Sequence, residues 1–155
     1  MPGDLPHEIL IVGYGNSLRG DDGLGRRAAE LLADDPRLAG ARVLSQHQLT
    51  PELALDISTA SVVVLIDAST EAPGAISVRQ VEPTPDAGSA SSHHVSPATL
   101  GALAAELYGA AAPMFVVSVG AASMDVGDGL SPDVERALPA VIEAVVAIVV
   151  EHGRR

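Results

Sequence analysis

Residues 8–32 read EILIVGYGNSLRGDDGLGRRAAELL. Ile9, Leu10, Ile11 and Val12 form a short apolar run that enters a loop with Gly13, Gly15, Gly20, Gly23 and Gly25. Leu24, Ala28, Leu31 and Leu32 then recur at helical spacing over residues 24–32. A continuous apolar run bounded by glycine reads as a buried strand, here residues 8–13, and the 3.6-residue period that follows as an amphipathic helix. Strand, glycine turn and helix usually make a phosphate site. Here Asp21 and Asp22 put paired negative charge where such a loop would present backbone N–H groups. The dinucleotide spelling G-x-G-x-x-G also breaks, because Leu18 stands where the third glycine belongs, and no G-K-[ST] follows. These two facts set a nucleotide site aside.

Outward from this stretch, the chain alternates strand and helix. Residues 41–44 predict a second strand running towards Gln46, His47 and Gln48. Residues 62–67, 75–81 and 114–119 are further apolar strand runs. Thr50-Pro51, Ser96-Pro97 and Ser131-Pro132 each place a capping hydroxyl before a proline, a helix-start signal. Behind Ser96, Leu100, Leu103, Ala104 and Leu107 recur at helical spacing, and behind Ser131 so do Val134, Leu138, Val141, Val145 and Ile148. The predicted order is β-α-β-α-β-β-α-β-α. It implies an α/β fold: an open, mostly parallel twisted five-stranded sheet with helices on both faces. The stretch PTPDAGSASS, residues 83–92, is small and polar, and His93 and His94 follow it directly.

The 155 residues suit one domain, residues 1–155, large enough to bury a core without staples. Nearly half are apolar, at 47%, and aromatic residues make up only 2%, which favours a parallel sheet rich in β-branched residues. The chain has no cysteine, which excludes disulfides, zinc thiolates and a cysteine nucleophile. No apolar run approaches a membrane span, and MPGDLPHE does not read as a signal peptide, so the expectation is a cytoplasmic protein. A net charge of −11 disfavours nucleic acid and anionic membranes as partners.

In a doubly wound sheet the site lies outside the carboxyl ends of the strands. Three polar features are expected there: Asp21 and Asp22 after the first strand, Asp67 at the end of the third, and His93 and His94 at the end of the loop after the fourth. Each also has a plain structural reading. Asp22, just ahead of Gly23, suits a helix N-cap, and so does Asp21, but two adjacent aspartates leave one spare. The surrounding glycines allow close backbone approach, which argues for something docking at the loop. Asp67 closes the run VVVLI, where a carboxylate costs free energy unless it is paired or used; a loop cap is the alternative. His93 and His94 read as solvated loop residues, as a metal ligand or as a general base. Adjacent residues on an extended segment point opposite ways, so at most one faces the site. His47 is a further polar group at a strand end, while His7 and His152 lie near the termini and read as surface. One imidazole with two carboxylates suits a borderline divalent ion such as nickel or zinc. H-E-x-x-H and G-x-S-x-G are both absent, so neither the common zinc peptidase helix nor a serine hydrolase elbow is present.

Taken together, four motifs resemble the hydrogenase maturation proteases, cytoplasmic endopeptidases that trim the C-terminus of the large subunit of nickel–iron hydrogenases. They are GYGNSLRGDDGLG at residues 13–25, LIDA at 65–68, SSHH at 91–94 and GLSPDV at 129–134. The first is specific; the others carry weight through their order and spacing. The resemblance spans roughly residues 9–150. It implies a nickel site read by Asp22, Asp67 and His93, with His94 as the alternative to His93, and assigns these same residues the catalytic role. Asp67 is the candidate base among them; a carboxylate that activates water and a metal that polarises the carbonyl are both compatible with the sequence. The nickel would be carried by the substrate, a hydrogenase large-subunit precursor, and no tightly bound cofactor of the chain's own is expected. The loop after the first strand would then present a carboxylate to a cation, and its glycines would let the partner's peptide approach. QHQLTP, residues 46–51, departs from the glycine-rich turn that many members have after the second strand. A second reading of the same residues is a nickel-binding maturation adaptor or metallochaperone that does not cut. A third is a metal hydrolase with its own zinc.

Overall fold

β1 (Glu8–Tyr14) is buried along its centre because both its faces are covered. Leu10 and Val12 enter one apolar cluster and Ile11 the other, as the two-residue period of a strand requires. The computed structural model describes residues 8–84, 95–127 and 129–153. After β1 come α1 (Leu24–Ala33), β2 (Arg42–Gln46), α2 (Leu53–Thr59), β3 (Ala60–Ser69), β4 (Ile76–Val81), α3 (Pro97–Tyr108), β5 (Met114–Gly120) and α4 (Pro132–His152). This is the predicted order. The sheet runs β2-β1-β3-β5-β4, with β4 antiparallel to β5 and the other neighbours parallel.

Two apolar layers sandwich the sheet. Ile11, Val62, Val64, Ile66, Val117 and Val119 pack against Leu24 and Leu32 of α1 and Val134, Val141 and Val145 of α4. Leu10, Val12, Val63, Leu65, Met114 and Val116 pack against Leu53 and Ile57 of α2 and Leu100 and Ala104 of α3. Fully buried parallel strands read as unbroken apolar runs for this reason. Among the described residues no helix is long and apolar enough to cross a membrane.

Strand order reverses between β1 and β3: the chain leaves β1 towards β2 on one side and returns to β3 on the other. That reversal opens a crevice at the carboxyl ends of β1 and β3, the place where open α/β sheets bind ligands.

Several expectations are corrected. Ser96 and Ser131 do cap α3 and α4, accepting from the N–H groups of Thr99 at 3.1 Å and Val134 at 3.4 Å. Thr50 does not cap α2, which begins at Leu53 after Glu52 with no side-chain cap bond. Leu107, expected on the buried face of α3, is exposed. His152 is not a free surface residue, since its ring packs on Phe115 with 4.6 Å between centroids. β4 runs against β5, so its own carboxyl end lies on the rim opposite the crevice, with Val81 beside Met114 at the start of β5. The chain returns along α3, where Pro83 lies against Gly101 and the Thr84 N–H donates to the Ala98 carbonyl. Val95 then lines the crevice.

Candidate active site at the ends of β1 and β3

The glycine loop is folded on itself. A Cβ on Gly13 would overlap the Gly25 carbonyl, one on Gly15 the Asp22 carbonyl, and one on Gly25 the Ile66 carbonyl. The glycines therefore let α1 sit close on β1 and β3. This corrects the expectation that they make room for a docking partner. Gly20, at φ +56°, turns the loop so that its N–H reaches the Gly127 carbonyl at 2.8 Å.

Neither aspartate caps α1, whose N-cap is Gly23 with no side-chain bond. A 3-10 turn over Gly20–Gly23 aims them apart. Asp21 is 1% exposed. It accepts from the N–H groups of Ala122 (2.8 Å), Ser123 (3.2 Å) and Ser131 (2.7 Å) and from the Ser131 hydroxyl (2.9 Å). Burial alone would raise its pKa, but these bonds outweigh it and hold the carboxyl below its ordinary value. Asp21 is thus the structural member of the pair, clamping the loop after β5 and the start of α4 to the first loop.

Asp22 is the spare one. It lines a cavity of about 360 Å³ with Tyr14, Asn16, Arg19, His47, Leu49 and Val95, among others. Its Oδ2 accepts the Asn16 N–H at 2.8 Å. The Asn16 side chain in turn accepts the Leu18 N–H at 2.9 Å, which fixes the turn.

Asp67 continues the face begun by Val63 and Leu65, beyond the apolar cover of α2 and α3. It starts a polar row across the sheet, because it pairs with Ser118 on β5, which pairs with Ser77 on β4. On its other side the Tyr14 hydroxyl donates to Asp67 Oδ2 at 2.8 Å across the crevice. Burial pushes the Asp67 carboxyl above its ordinary value. The Tyr14 bond and the positive charge of Arg79 pull it back, and the charge of Asp22 raises it again. Burial and the adjacent Asp67 push the Tyr14 phenol far up, so it stays a protonated donor.

The arrangement offers two carboxylates, each with one oxygen engaged and the other not hydrogen-bonded among the described residues. Such a pair can give oxygen ligands to a borderline cation, and a carboxyl raised by burial suits proton transfer. Among the described residues no three His, Cys, Asp or Glu side chains stand close enough to hold a metal. His47 lines the cavity but does not complete a cluster with Asp22 and Asp67. His93 and His94 lie outside the described residues.

No protein-family model matches the chain, and no curated protein matches it in sequence. Solved structures do match. The hydrogenase maturating endopeptidase HybD from E. coli covers 93% of this chain and 93% of its own at 23% identity, with a TM-score of 0.70. The [NiFe] hydrogenase maturation protease HycI from Thermococcus kodakarensis KOD1 covers 92% of both at 20% identity, with a TM-score of 0.71. The chain has the hydrogenase maturation protease fold. An endopeptidase from Escherichia coli, solved in solution, agrees over 93% of both chains at 23% identity and a TM-score of 0.73.

Within this maturation protease fold, the structure sets Asp22 on the crevice, ties Asp67 to it through the Tyr14 hydroxyl, and assigns Asp21 elsewhere. Sequence reasoning missed Tyr14, Arg19 and Arg79. Tyr14 was findable: it is in phase with Leu10 and Val12, and a tyrosine at the end of a buried strand needs a hydroxyl partner. Arg79 was not, because only the pairing of β4 with β5 carries it near Asp67.

Proposed function

We propose that the chain is an endopeptidase that removes the C-terminal peptide from the large-subunit precursor of a nickel–iron hydrogenase after nickel insertion. The observation that carries this reading is the link from the crevice that Asp22 lines, through Tyr14, to Asp67 at the end of β3, in a fold shared with maturation endopeptidases. The nickel arrives with the substrate. Asp22 and Asp67 each offer it one oxygen, and His93, or His94 in its place, supplies the imidazole; Val95, the next residue, lines the cavity beside Asp22. The absence of cysteine fits a chain that leaves thiolate ligands to its partner.

In the hydrolysis, water attacks the scissile carbonyl, the C–N bond breaks, and the departing nitrogen takes a proton. Asp67 is the base in this scheme. Its pKa is raised by burial, so it holds a proton more readily than an exposed aspartate and can pass it to the leaving nitrogen.

The test is to mix the protein with nickel-loaded and nickel-free precursors and weigh both products. Loss of a C-terminal peptide from the nickel-loaded form alone is the expected result. Binding of the precursor with no change in mass would replace this reading with the non-cleaving adaptor. Cleavage of both forms would remove the nickel requirement.

A further inference from the structure

Of the residues lining the cavity, Tyr14 is the one that bonds Asp67 among the described residues. Asp67 itself does not line that cavity. Tyr14 therefore stands between the space that Asp22 faces and the second carboxylate. Two residues on, the Asn16 N–H engages Asp22 in the same manner, and both bonds measure 2.8 Å. Each carboxylate has Oδ2 taken by a donor from the end of β1, and Oδ1 accepts no hydrogen bond among the described residues.

The backbone explains why one short segment serves both. Tyr14 is the last residue of β1, and its pairing with Gln46 on β2 holds it in strand geometry. The Gly15 N–H continues to the Gln46 carbonyl at 3.1 Å, and Gly15, at φ +144°, then turns the chain so that the Asn16 N–H meets Asp22. Tyr14 projects on the α2/α3 side of β1, in phase with Leu10 and Val12, and its hydroxyl lies across the crevice from its own strand, on β3.

From this we propose that the end of β1 organises both carboxylates, and that Tyr14 is the positioning residue that holds Asp67 in a single orientation with Oδ1 left for substrate. The proposal rests on the endopeptidase reading for its kinetic consequence but not for its structural one. Tyr14 does not touch the reacting atoms; it acts through Asp67. Removing a hydrogen-bond partner that orients a ligand or base costs about 10–100-fold in activity or metal affinity.

The experiment compares the full chain with Tyr14→Phe, which keeps the ring and its packing. Two readouts are taken. In the free proteins, Asp67 χ1 populations are measured by side-chain NMR couplings. With nickel-loaded precursor, kcat and KM are measured separately. The expected result is one Asp67 rotamer in the wild type, averaging in Tyr14→Phe, and a fall in kcat of about 10–100-fold at nearly unchanged KM. A purely structural tyrosine would lower the melting temperature and leave kcat alone. Identical Asp67 rotamer populations in the two proteins would overturn the proposal, as would wild-type kcat in the variant. Rotamer averaging already present in the wild type would overturn it without any variant, should Tyr14→Phe fail to fold. If the wild type cleaves nothing, the endopeptidase reading falls, and the rotamer comparison still decides the role of Tyr14.

Discussion

The Asp21 carboxylate receives both the backbone N–H of Ser131, at 2.7 Å, and its hydroxyl, at 2.9 Å. With the Ala122 and Ser123 N–H groups it is held by four donors at a position 1% exposed. Its pKa is depressed, so between the folded and unfolded values the unfolded chain binds more protons. The stability that Asp21 contributes is therefore fully present above the ordinary carboxylate pKa and is lost as pH falls through the folded value. Asp21→Asn replaces one acceptor oxygen by a donor that faces other donors. It is expected to cost about 3 kcal/mol at neutral pH, and less as the medium is acidified to about pH 3. Melting temperatures of both proteins across that range check this; a gap that stays constant with pH would refute it.

The same contact separates two caps that look alike in sequence. Ser96→Ala removes a cap from α3 alone and should cost about 1 kcal/mol. Ser131→Ala removes the cap of α4 and also one of the bonds to buried Asp21. Its cost should exceed that of Ser96→Ala by about 1 kcal/mol or more. Denaturant unfolding of the pair gives the comparison directly, and equal costs would count against the clamp.

Gly25→Ala tests how closely α1 lies on the sheet. Its Cβ would meet the Ile66 carbonyl and also the backbone of Tyr14 at 2.7 Å, neither of which can move aside cheaply. The expected cost is about 3 kcal/mol, at the upper end for added volume in a packed interior. Because Tyr14 is displaced too, precursor cleavage should fall in whatever fraction still folds. A variant that melts with the wild type would show that α1 has freedom to retreat.

Asp67→Asn is expected to separate stability from activity. Burial raises the Asp67 pKa, so its ionised form opposes folding. For a raised value the contribution is present below the unfolded pKa and is lost as pH rises through the folded one. The uncharged amide keeps an oxygen for the Tyr14 hydroxyl and avoids that loss. The variant should therefore melt at or above the wild-type temperature at neutral pH, with the difference shrinking in acid. It should also abolish precursor cleavage. Normal tail processing by Asp67→Asn would sink the role assigned to this carboxylate.

Much of the fold was legible because the two periods are clean. The runs around Ile11, Leu65 and Val116 announced strands buried on both sides, and the spacing of Val134, Leu138 and Val141 announced α4. Serine before proline located two helix starts correctly; with Thr50 the rule failed, because residues 50–52 form a turn whose backbone carbonyls take the Leu53 and Ala54 N–H groups, and α2 starts only at Leu53. The site was half legible. Asp22 and Asp67 stand out locally, as paired charge in a glycine loop and as a carboxylate closing an apolar run. Which member of Asp21 and Asp22 was free could not be read, because the answer depends on Ser131 and Ala122, far along the chain. The antiparallel course of β4, which brings Arg79 beside Asp67, is likewise a matter of long-range pairing that no local pattern encodes.

Gly25, and not a residue at position 18, does the work that the third glycine does in dinucleotide folds, letting helix and strand backbones touch. The chain between Gly15 and Gly25 closes on itself instead, with the Asn16 N–H bound to Asp22 and the Asp22 N–H to the Arg19 carbonyl. Leu18, the residue whose change to glycine would complete that spelling, sits on the outside of the excursion at 67% exposure. Leu18→Gly would perfect the motif and create no nucleotide site. Grafting cofactor chemistry onto this scaffold would mean excising the turn that carries Asp21 and Asp22, and with it the clamp on α4.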